Sequence, residues 1–182
     1  MGNGHSLKRK RPALTIALVG VMAATVECAK LALSALPNVE VVTLLLALFS
    51  YAFGWSGFFA SIVFVSIEPL IYGFSTWVVS YYLYWPLVSI IFLLLGYKEV
   101  KNRWILTLTA VILTAWFGVL TSLVDIGLLS GFFDNFFYRF SVYYARGAVF
   151  YIVQIAANAV LFPLLFPFLS EKLKALKSRM YL

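Results

Sequence analysis

The chain reads as an all-α integral membrane protein: six transmembrane helices in one bundle, with both termini in the cytosol. Three observations predict this. The composition is 63% hydrophobic and 12% charged, with mean hydropathy +0.96, which leaves too little polar surface to coat a soluble globule. Apolar stretches of membrane length follow one another along the sequence. Eleven of the 14 Lys and Arg residues fall in three short clusters between those stretches. The clusters are Lys8-Arg9-Lys10-Arg11, then Lys98, Lys101 and Arg103, then Lys172, Lys174, Lys177 and Arg179. Even numbers of spans separate them, so all three share one side. Positive charge is retained on the cytoplasmic side during insertion, which makes that side the cytosol.

Each span needs about 20 apolar residues. After a basic tail at 1–11, the first runs over 12–36 and stops at Pro37. The second, 39–53, is short. Gly54-Trp55-Ser56-Gly57 separates it from the third, 56–74, and Gly73 with Ser75-Thr76 separates the third from the fourth, 77–95. The charged stretch 96–103 leads into the fifth, 104–124. The sixth covers 148–169 and ends in a basic tail at 170–182. Between the last two spans, 125–147 forms an outer loop rich in aromatic residues. It reads as an interfacial amphipathic helix or as a loop folded back to cap a cavity. An aromatic belt at headgroup depth is the plainer alternative. No linker is long enough to divide the chain, so 1–182 forms a single domain.

Several function classes fall away. The net charge of +7 belongs to the flanks of apolar spans, so it signals topology and lipid headgroups rather than nucleic acid. Cys28 is the only cysteine and His5 the only histidine, which leaves no disulfide and little basis for a metal site or a serine–histidine triad. No Gly-rich phosphate loop and no nucleophile with an adjacent base is present. The expectation is a protein that is not an enzyme, has no intrinsic cofactor or metal, and borrows its energy.

The outer half carries the suggestive residues. Glu27 and Lys30 lie near the end of the first span, Glu40 follows Pro37-Asn38-Val39, Glu68 precedes Pro69, and Asp125 ends the fifth span. Charges at such depth are costly and mark a pathway, a binding site or an internal ion pair. A Glu27–Lys30 pair at i,i+3 is the simplest alternative, but it leaves the other carboxylates unexplained. Adding Arg139, Arg146 and Asp134, three cations face five anions, a balance of −2 that favours a neutral or cationic substrate. Tyr72, Trp77, Tyr81 and Trp85 supply flat π-faces near the fourth span, with Tyr143 approaching the sixth. Gln154 and Asn158, four apart, offer amides on one helical face. In the outer loop, Phe133, Asp134 and Arg139 complete the candidate ligand site, together with Asn38.

A second feature is a stripe of small residues in the first span: Ala13, Ala17, Gly20 and Ala24, spaced four, three and four. At 3.6 residues per turn they share a face on which another helix can approach closely. Packing inside the chain's own bundle is the commoner use of such a stripe, and docking of a partner subunit is the functional one.

These features together resemble the S component, the substrate-binding membrane subunit of energy-coupling factor (ECF) vitamin transporters. The resemblance rests on the six-span layout and on Ala13-Leu14-Thr15-Ile16-Ala17, similar to the family's Ala-x-x-x-Ala motif. Leu36-Pro37-Asn38-Val39-Glu40, Gly54-Trp55-Ser56-Gly57 and the Trp85-Pro86 turn add to it. It implies that Ala13 and Ala17 dock on a transmembrane coupling subunit and that two ATPase subunits supply energy. It also implies a vitamin site near the outer face, gated by the first, third and fifth loops. Within the family the chain looks most like cobalamin-specific members, with thiamine, riboflavin or a queuosine precursor as alternatives. Two other classes compete: a lipid-modifying membrane enzyme using Glu68 or Asp125 as a base, and an assembly subunit that binds no small molecule.

Overall fold

The computed structural model describes residues 12–35, 39–129, 131–132 and 134–180; the basic tail 1–11, Asn38 and Phe133 lie outside them. The described residues form six α-helices and no strand: α1 (Pro12–Ala32), α2 (Val42–Phe53), α3 (Trp55–Tyr72), α4 (Thr76–Tyr97), α5 (Arg103–Leu129) and α6 (Phe136–Arg179). Five are long and apolar enough to cross a membrane; α2, with 12 residues, is shorter. Large apolar side chains such as Leu70, Phe74 and Trp104 point away from the bundle. A surface this apolar is unstable in water and matches a hydrocarbon solvent. The protein is membrane-embedded.

The short α2 is the axis of the packing. Eleven of its twelve residues are buried, and it touches every other helix. Two glycines make this possible. A Cβ on Gly57 of α3 would lie 2.3 Å from the Ser50 nitrogen, and one on Gly96 of α4 would lie 2.3 Å from the Tyr51 carbonyl oxygen. Both neighbours are α2 backbone, so any larger residue would push the helices apart. Gly54, at φ +65°, lets the chain reverse between α2 and α3 without a Cβ clash.

At 1.5 Å per residue α2 is about 18 Å long, against about 30 Å of hydrocarbon. It fills the half of the bundle nearer Tyr51 and Phe53. Room remains above its first turn, at Glu40 and Val42, and that room is the site described below. At the opposite end, Lys177 donates to the Ala52 carbonyl (3.0 Å), Lys174 stands over the Tyr51 ring (4.0 Å), and the Tyr51 hydroxyl donates to the Val100 carbonyl (2.8 Å). The second and third basic clusters therefore meet at one end, as their spacing requires.

The last two helices differ from the sequence reading. The stretch 125–147 is not a loop. Residues 125–129 close α5, residues 136–147 open α6, and only 130–135 connect them. The 44-residue α6 is about 66 Å long, about twice the roughly 30 Å of hydrocarbon. No Gly or Pro interrupts 132–146, and Phe136, Phe140 and Tyr144 stack along one face at i,i+4 spacing. The aromatic run, read from sequence as an interfacial helix or a folded-back loop, is helical from Phe136 onward and carries its stacked rings on α6 itself.

Candidate functional site

Above the α2 N-terminus lie two adjoining hollows, which share part of their lining. The inner chamber, about 60 Å³, is lined by Glu40, Val42, Lys30, Phe64, Tyr84, Trp85 and Thr114. The outer one, about 580 Å³, opens between α4, α5 and the first half of α6, at Trp77, Asp125, Tyr143, Arg146 and Tyr151. Tyr81, Phe117 and Gln154 line both and stand between them. The outer volume falls within the roughly 300–1,000 Å³ of small-molecule sites.

The wall is an aromatic lattice. On α4, Trp77, Tyr81 and Trp85 recur every four residues, with edge-to-face centroid separations of 5.0 and 5.7 Å. Tyr84 lies 4.7 Å from both Trp85 and the α5 ring of Phe117. Edge-to-face contacts hold such rings in fixed orientations. Tyr151 of α6 is seated between two glycines. A Cβ on Gly118 would come within 2.7 Å of its ring, and one on Gly147 within 2.3 Å of its hydroxyl. That hydroxyl is 3.1 Å from Thr121 Oγ1.

The polar groups divide into those spent on structure and those left open. Glu40 accepts from the Thr43 backbone N–H (3.1 Å) and hydroxyl (2.6 Å), so it caps the first turn of α2, where the helix dipole favours an anion. It also accepts from Asn158 Nδ2 (3.4 Å), which donates to Thr114 Oγ1 (3.0 Å) as well. Asn158 is fully buried and braces the floor instead of facing the hollow. Asp125 accepts from the Thr76 hydroxyl and ties α5 to α4 at the mouth. Trp85 Nε1 is buried without a hydrogen-bond partner, and Gln154 lines both hollows. The Gln154 amide can orient a ligand's amide, carbonyl or ring nitrogen.

Of the sequence candidates, the fold brings Glu40, Trp77, Tyr81, Trp85, Tyr143 and Gln154 to the hollows. Glu27 and Glu68 are buried behind Lys30, between α1 and α3, and line neither hollow. Lys30 pairs with Glu68, not with Glu27 as the i,i+3 spacing suggested. Tyr72 is on the exposed end of α3, with the Lys30 ammonium 4.2 Å from its ring centroid. Asp134 is exposed, and Arg139 donates to the Gly131 carbonyl (3.2 Å), which fastens the α5–α6 connection. The α5 wall of Thr114, Phe117 and Thr121 was missed. Its i, i+3, i+7 spacing was readable, but it resembles ordinary lipid-span periodicity.

The small-residue stripe faces away from the bundle. Ala13, Ala17, Gly20 and Ala24 are all exposed, while Met22, Ala23, Val26 and Glu27 pack inward. Nothing lies within 4 Å of a Cβ built on Gly20. Packing inside the chain's own bundle does not account for the stripe. Comparison with protein-family models, curated proteins and solved structures finds no match to this chain.

Proposed function

We propose that this protein is a substrate-binding subunit of a vitamin uptake system of the ECF type. It takes a ring-bearing ligand from outside the cell and is energised by separate subunits. The observation that carries the reading is the aromatic double hollow above the short α2, open at the end of the bundle away from the basic clusters. By the positive-inside argument that end faces outward from a bacterial plasma membrane, with both termini cytosolic. The exposed Ala13–Ala17–Gly20–Ala24 face supports docking on a transmembrane coupling subunit, which brings two ATPase subunits with it.

The walls describe the ligand. Rings fixed edge-to-face suit a flat conjugated system, and Glu40, Asp125, Lys30 and Arg146 around the hollows give no surplus of cations for a polyanion. A neutral or singly cationic ligand fits best. The outer volume accommodates a molecule of thiamine or riboflavin size. Cobalamin, which the sequence resemblance puts first, exceeds a drug-sized ligand and would stand partly above the mouth, against the aromatic face of α6. A thermal-shift series on the purified chain with thiamine, riboflavin and cobalamin tests the reading. Stabilisation by one of them supports it, because a ligand binding only the folded state raises the melting temperature. No shift with any of them favours the assembly-subunit alternative.

A further inference from the structure

Between α1 and α3 lies a cluster of three charges. Glu68 is 1% exposed and Glu27 is 7% exposed. Lys30 binds Glu68 through Oε2, which leaves Glu68 Oε1 without a partner. Glu27 lies against Glu68 and the Tyr72 hydroxyl, close enough for side-chain interaction with both, yet neither of its carboxylate oxygens makes a hydrogen bond of full geometry with a described group. Tyr72 on α3 and Tyr81 on α4 are the other titratable groups facing the cluster, and Tyr81 also faces the charge of Glu40, ahead of α2. One ammonium against two carboxylates leaves a net charge of −1 in a membrane interior.

That charge is untenable as it stands. An ionised carboxylate with no hydrogen bond and no counter-charge is strongly disfavoured in a low-dielectric site, and two carboxylates side by side disfavour each other's ionisation. We propose that Glu27 and Glu68 together hold one proton, so that Glu27, Lys30 and Glu68 form a neutral proton-binding site. The proton turns one carboxyl oxygen into a donor to the other carboxylate, which pairs two of the three unpartnered oxygens. The site adjoins the inner chamber, because Lys30 lines that chamber while it holds Glu68. A ligand acceptor that drew Lys30 away would leave two bare carboxylates and require a second proton. That consequence rests on the ligand-binding reading above; the proton site does not.

Infrared spectroscopy of the purified full-length chain near neutral pH tests the site without any ligand. The expected result is a protonated-carboxyl C=O band in the unsubstituted protein that is lost in E27Q and lost in E68Q. Each substitution leaves one carboxylate to balance one ammonium. In K30Q the band should double, since two carboxylates then share no cation. E40Q should leave the band unchanged. Absence of the band from the unsubstituted protein overturns the proposal, as does its survival in both E27Q and E68Q. A band removed by E40Q assigns the proton to the chamber floor and overturns it equally.

Discussion

Lys30 on α1 bonds to Glu68 on α3, 38 residues further along, and not to Glu27 one turn away on its own helix. The choice follows from direction. Glu27 packs inward beside Ala23 and Val26, while Lys30 reaches past it toward α3 and the chamber. An ion pair between helices fixes how α1 lies against α3, which a pair within one helix would not do. The half of α1 bearing the small residues is left free of the bundle.

Replacing Lys30 by Met should therefore cost about 3–5 kcal/mol, the usual penalty for removing one partner of a buried ion pair. Glu68→Gln should cost less, because Glu27 stands ready as a partner for the ammonium. The Lys30→Met deficit should shrink as pH falls, because the variant's two carboxyls must take up protons on folding and that uptake costs less at lower pH. Denaturation of the purified variants in detergent across a pH series measures all three. A larger loss in Glu68→Gln than in Lys30→Met would contradict the arrangement.

The two kinds of glycine in the bundle should respond oppositely to alanine. Gly118→Ala drives a methyl group into the Tyr151 ring, and overpacking of this kind costs about 1–3 kcal/mol. Gly20→Ala meets nothing and removes a flexible residue from a helix interior, a change worth about 0.5–1 kcal/mol of added stability. Thermal melting of both variants distinguishes them. Equal behaviour would mean that Tyr151 is not held in the slot between α5 and α6.

Helix existence was legible from the sequence because apolar length and basic flanks obey strong rules in a bilayer. The α4 aromatics were legible too, since Trp77, Tyr81 and Trp85 repeat at helical spacing. Helix ends were harder to read. Hydropathy reports the most apolar part of α6, whereas the helix runs further, through Arg139 and Arg146, which lower the apolar signal without breaking the backbone. Depth was equally hidden. Glu27 and Glu68 share the outer half with Glu40, yet whether a carboxylate faces a cavity or another helix depends on helix rotation, and one sequence does not reveal rotation. Lys30 looked like a local partner for Glu27 and proved to be the link between the ion cluster and the chamber.

The docking face gives a prediction of its own. Ala17→Trp places a bulky ring on an exposed position, so folding and ligand binding of the isolated subunit should be unchanged. Co-purification with the coupling subunit, and uptake, should be lost because the helices can no longer approach closely. Loss of folding in the isolated variant would show that α1 uses this face internally.

Orientation can be tested separately. With the exposed Cys28 first replaced by Ser, a cysteine at Asn135 should react with an impermeant thiol reagent on whole cells. One at Lys98 should react only after the cells are opened. Labelling at Lys98 from outside would invert the topology and close the hollows to extracellular ligand.

The central claim is that the hollow above α2 holds a ring-bearing vitamin. Isothermal titration of the purified chain and its Trp77→Ala variant, each with thiamine, riboflavin and cobalamin, tests it most directly, because Trp77 lines the outer hollow. One of the three should bind the unsubstituted chain. Loss of the Trp77 ring should then weaken binding by about 1–3 kcal/mol, or roughly five- to 150-fold. Binding of none of the three, or an affinity indifferent to Trp77, would contradict the claim.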